Sequence, residues 1–170
     1  MAADVDLRHS RSTPEVRGSR DGPANKENIM KFMLIMRAND DAVEAYKEMP
    51  FEQVIEAMGK YNESMMKAGV LVAGEGLTDA AEGFVVDFSA EKPLITDGPY
   101  GETKELFNGF WIIEVSSREE AAEWASRAPL GAGSFLEVRR VTGVEDFPAD
   151  NEWIAKEAGW REEQAQRAQQ

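Results

Sequence analysis

At 170 residues the chain is long enough for one domain with its own hydrophobic core, and the absence of cysteine excludes disulfides, thiol nucleophiles and thiolate metal sites. A formal charge of −13 works against nucleic acid or an anionic membrane as a partner, because both need concentrated positive charge. No apolar run approaches the ~20 residues of a membrane span, and none near the N-terminus has the form of a secretory signal, so the expected setting is cytoplasmic.

Residues 1–28 are rich in Arg, Ser, Asp, Gly and Pro and lack any sustained apolar periodicity, which reads as a disordered N-terminal tail. Basic and acidic residues balance there, so the negative excess belongs to the rest of the chain. The single histidine, His9, falls in this tail, and Met30 is a candidate natural start. The run Lys31 to Met36 has the uniform apolarity of a central strand buried on both faces. Asn39 or Asp40 can cap a short helical turn, and Pro50 opens a longer helix in which Phe51, Val54, Ile55, Met58, Tyr61 and Met65 recur at helical spacing, with Gly69 at the position of a left-handed cap.

Val70 to Ala73 reads as a strand that leads into Gly74-Glu75-Gly76, a carboxylate between two glycines and so a candidate site group as well as an ordinary turn residue. Gly83 to Phe88 and Pro93 to Thr96 form two strand-like runs that make a hairpin insertion. The stretch Asp97-Gly98-Pro99-Tyr100-Gly101-Glu102-Thr103-Lys104-Glu105 comes next. Its Gly-Pro demands a turn that Asp97 can brace by accepting backbone amides, yet it holds more charge than a turn requires. Gly109 to Val115 is a strand, and Ser117-Arg118-Glu119-Glu120 is a capping box opening a helix with Trp124 as its large core anchor. In the last strand, Phe135 to Val141, alternation puts Glu137 and Arg139 on one face and Leu136 and Val138 on the other. From Asp150 onward Trp153, Ile154, Glu157 and Trp160 recur at helical spacing, giving a C-terminal helix over 148–170 that docks on the body or a second subunit and frays beyond Trp160.

The run from Asp97 to Glu105 closely resembles the Asp-Gly-Pro-Phe-Ala-Glu-Thr-Lys-Glu signature of the DGPF (YCII-related) family, with Tyr100 for the Phe and Gly101 for the Ala. Gly74-Glu75-Gly76-Leu77, Gly109-Phe110-Trp111, the helix from Ala121 to Pro129 and Glu137-Val138-Arg139 agree in order. The expected domain spans 30–147. The resemblance implies an α+β, ferredoxin-like βαββαβ unit with the hairpin insertion, pairing as a dimeric α/β barrel, in a family whose activity is largely unassigned.

Three classes of function remain open. The first is an enzyme moving protons on carboxylates, by analogy with relatives thought to use a His-Asp pair; this domain lacks the histidine, so the work would fall to Asp97 and Glu75, or to Glu102 or Glu105. The second is a binding module holding an unknown small molecule in the barrel cavity, with Glu102, Lys104, Glu105, Glu137 and Arg139 as ligand-binding candidates and Lys104 or Arg139 orienting an anionic group. The third, implied by the resemblance alone, is an accessory or regulatory protein in an extracytoplasmic-function sigma factor pathway. No cofactor or metal is expected, and the expected partner is a second copy of the chain.

Overall fold

A computed structural model describes residues 29–98, 106–148 and 150–167; the tail of residues 1–28 and most of the signature, including Glu102, Lys104 and Glu105, lie outside them. The protein is mixed α+β. In chain order it has β1 (Met30–Ala38), α1 (Asp40–Glu48), α2 (Phe51–Lys67), β2 (Leu71–Gly76), β3 (Phe84–Asp87), β4 (Leu94–Asp97), β5 (Leu106–Val115), α3 (Arg118–Ser126), β6 (Ser134–Arg140) and α4 (Glu152–Arg167). Four strands form an open antiparallel sheet in the order β2-β5-β1-β6, and β3 and β4 pair with each other in a separate two-stranded hairpin. Among the described residues the sheet does not close into a barrel.

Side-chain alternation gives the large sheet two different faces. One carries Phe32 and Leu34 of β1, Trp111, Ile113 and Val115 of β5, and the partly buried Leu136 and Val138 of β6. Against it pack Tyr61 and Met65 of α2 and Ala121 and Trp124 of α3. Leu34, Met65 and Ile113 are sealed from solvent, each contributing about 1.5–3 kcal/mol of apolar burial. The inward stripe of α2 is Val54, Met58, Tyr61 and Met65, whereas Phe51 is 75% exposed and Ile55 54%. The periodic set expected from the sequence was therefore too wide: Phe51 and Ile55 flank the buried Val54 and lie off the inward stripe.

Local chemistry accounts for the helix ends. Asn39 caps α1, its Oδ1 accepting the Ala42 N–H at 2.9 Å. Past α2, Gly69 takes φ of 71°, and the Gly69 and Val70 amides close on the Met66 and Met65 carbonyls. Ser117 caps α3 through the Glu120 amide at 3.0 Å, while the Glu120 carboxylate reaches back to the N–H and hydroxyl of Ser116, one residue earlier than the usual box.

Strand limits moved where long-range pairing outweighed local signals. β2 continues through Glu75 to Gly76, so Glu75 is a strand residue, not a turn residue. Gly74 is explained by packing, since a Cβ there would stand 2.7 Å from the Trp111 ring. α4 runs on to Arg167, with Glu157–Arg161 and Glu163–Arg167 pairs supporting its outer turns. Its Trp153 is 60% exposed and stacks under the Lys156 ammonium at 4.2 Å. Trp160 and Arg161 of α4 line a shallow groove with Lys31 of β1 and Val72 of β2.

Candidate functional site

The second face of the four-stranded sheet, away from α2 and α3, brings several of the expected residues into register. Glu75 of β2 is opposite Phe110 of β5, Phe110 is opposite Ile35 of β1, and Ile35 is opposite Glu137 of β6. One row thus crosses all four strands. The next row is Ala73, Ile112, Met33 and Arg139. Beyond the first row, Arg37 is registered against Phe107 on one side and Phe135 on the other. A bulge between Met36 and Arg37 lets Phe107 and Phe110 stack, with ring centroids 6.3 Å apart and planes at 22°.

The centre of this face is apolar and its two edge strands are charged. On β6 the Glu137 carboxylate meets Arg37 Nη1 at 3.0 Å through one oxygen and Arg139 Nε at 3.8 Å through the other. These ion pairs are more than a third exposed, so they add little to stability. They gather two guanidiniums and one carboxylate beside the apolar strip, with Glu137 shared between Arg37 and Arg139. At the opposite edge Glu75 is exposed, and the close approach of β2 to β5 there depends on Gly109, whose Cβ would meet the Glu75 carbonyl oxygen at 2.7 Å.

Of the sequence candidates, then, Glu75, Glu137 and Arg139 share one face. Asp97 does not join them on that sheet: it ends β4, paired with Phe84 in the hairpin, and its side chain is exposed. Gly98, with φ of 84°, comes after it and donates its N–H to the Gly83 carbonyl at 2.8 Å, closing the base of the hairpin. In the sequence Arg37 marks only the end of a strand. The signal that could have found it is the alternation of β1, which sets Lys31, Met33, Ile35 and Arg37 on one side. Among the described residues no group of three or more His, Cys, Asp or Glu is placed to hold a metal ion, and no helix is long and apolar enough to cross a membrane.

Residues 30–147 match the YCII-related domain, which covers well over half of the chain. The chain belongs to the YCII-related domain family. A relative from Rhizobium meliloti (strain 1021), named uncharacterized protein R00369, is 31% identical over 113 residues, which is 65% of this chain and 90% of that protein. This YCII-related chain thus carries the domain together with a C-terminal helix, α4, that begins after the match ends.

Proposed function

We propose that this YCII-related protein is a small-molecule-binding homodimer, in which two ferredoxin-like units pair through their open sheet faces as a dimeric α/β barrel. The ligand lies in the space enclosed, its apolar body on Phe110, Ile35, Ile112 and Met33 and its polar ends at Glu75 and at Arg139 with Glu137. The observation that carries this reading is the row Glu75, Phe110, Ile35 and Glu137, an apolar strip with charged ends on a sheet face that α2 and α3 do not pack against and that α4 borders at its Lys31 end. A sheet face of that composition gains stability when a partner covers it. In the sequence the signature segment ends one residue before β5, whose Phe107 is registered against Arg37 at one end of the same face, which supports a ligand-contacting role for Glu102, Lys104 and Glu105.

The test is sedimentation of the full chain and of Ile35→Glu at micromolar concentration. The full chain should sediment as a dimer, and Ile35→Glu as a folded monomer with unchanged far-UV circular dichroism. A wild-type chain that remains monomeric defeats the reading. For the ligand, thermal-shift screening with small carboxylates should give a hit that Arg139→Ala loses.

A further inference from the structure

On the other side of the sheet, a cleft of about 360 Å³ opens at the end of β1, between α1, the exit of β2 and the loop before β6. Met36 and Ala38 form its floor, and both share the face of Leu34, not that of Ile35. The cleft is therefore separate from the proposed dimer face and complete within one protomer. Its volume is at the small end of the ~300–1,000 Å³ typical of ligand pockets.

Two of its walls are glycines, Gly76 and Gly131. Neither has a positive φ, so neither backbone conformation calls for glycine. A Cβ built at either position meets nothing within 4 Å. By contrast, the glycines at 74 and 109 are each accounted for by an atom that a Cβ would strike. Both positions border the cleft with open space where a side chain would start.

The polar groups around the cleft define the kind of occupant. Asn108, Ser134 and Tyr46 are neutral hydrogen-bonding residues set among Ala42, Leu77 and Leu130. Lys47, the one cation among the described residues that line it, is held by the Glu44 carboxylate at 2.9 Å. Glu44's hydrogen bond and charge raise the Lys47 pKa, and Asp79, a lining residue on the far side, adds to the rise. With two carboxylates around one ammonium, the rim does not offer a free positive charge to an anion.

We infer that this cleft is a binding site for an uncharged, mainly apolar molecule of about one ring, carrying a hydroxyl or carbonyl that Asn108 or Ser134 can hydrogen-bond. The apolar walls exclude water from the ring, and the neutral polar pair orients its single polar group.

The experiment is amide-resolved NMR titration of the full chain with p-cresol, and with benzoate as an anion of similar size. p-Cresol should shift the amides of Leu77, Asn108 and Ser134, and benzoate should bind about tenfold more weakly because its charge must be desolvated beside Glu44 and Asp79. Gly76→Leu and Gly131→Leu should each abolish the shifts by filling the cleft. Gly131 lies outside the strands, so Gly131→Leu decides the matter should Gly76→Leu fail to fold. Unmoved amides at millimolar p-cresol, equal binding of benzoate, or undiminished binding by Gly131→Leu would each overturn the inference. Sedimentation of the same samples separates this result from the dimer proposal: loss of binding in a chain that still dimerises removes the cleft site alone, and binding by a monomer removes the dimer alone.

Discussion

Tyr61 on α2 donates its hydroxyl to the main-chain carbonyl of Trp124 on α3 at 2.9 Å, joining the two helices over the core. The same ring stands edge-on to Trp111 of β5, with centroids 5.3 Å apart, and Trp111 in turn donates its indole N–H to Asn62 Oδ1 at 2.8 Å. Two helices and the sheet are thus linked through one tyrosine. Tyr61→Phe keeps the ring contacts and removes one of two donors to the Trp124 carbonyl, which also accepts the Arg127 N–H at 3.2 Å, so it should cost about 1 kcal/mol, the net worth of one hydrogen bond. Urea unfolding should show this as a lower midpoint at an unchanged slope.

The same hydroxyl makes stability sensitive to alkali. Burial raises the Tyr61 pKa from 10.0 to about 12, against a smaller lowering influence of Arg127. Because the folded state favours the neutral phenol, this contribution is fully present below the unfolded pKa near 10 and is lost as pH rises toward about 12. Melting temperature should therefore fall across that window, and Tyr61→Phe should flatten the fall. Some slope should remain, since partial burial also raises the pKa of Tyr46.

α3 starts at a cap that can be removed without touching the core. Ser117→Ala deletes the acceptor for the Glu120 amide and should destabilise the protein by about 1 kcal/mol. Ser117→Asn should recover most of it, because the amide oxygen accepts the same bond. Thermal melts of the pair check both.

Asp97 should matter little to global stability. Among the described residues its strand pairs with β3 alone, the side chain is exposed, and no hairpin residue belongs to the buried core. Asp97→Asn and Asp97→Ala should each melt within about 0.5 kcal/mol of wild type. A clear loss for Ala but not for Asn would instead assign the carboxylate to bracing the Gly98-Pro99 turn.

The residues that expose the fold in the sequence are those whose cues are local. The Ser117 cap, the Gly69 stop, the hairpin runs around Asp87 and Leu94, and the alternation of Glu137 with Val138 each depend on a few neighbours, and each can be read along the chain. Glu75 is harder: flanking glycines look like a turn, and only the pairing of Gly74 with Trp111 and of Gly76 with Gly109 shows a strand. The floor and walls of the cleft come from segments around Met36, Tyr46, Leu77, Asn108 and Ser134, with nothing in their spacing to connect them.

The sequence by itself determined the family, through an almost unbroken signature from Asp97 to Glu105, and the alternation of strands and helices, because capping, turn chemistry and periodicity act over a few residues. The tertiary structure decided which apolar positions are covered and which charges meet. Met33 and Ile35 read as apolar as Phe32 and Leu34, yet the latter pair faces α2 and α3 while the former lies on the open face. Glu75 and Glu137 end the same row only because β5 and β1 lie between their strands in a particular register. Register across a sheet is set by packing between segments far apart in the chain, and a shift of one residue would turn both carboxylates to the opposite face.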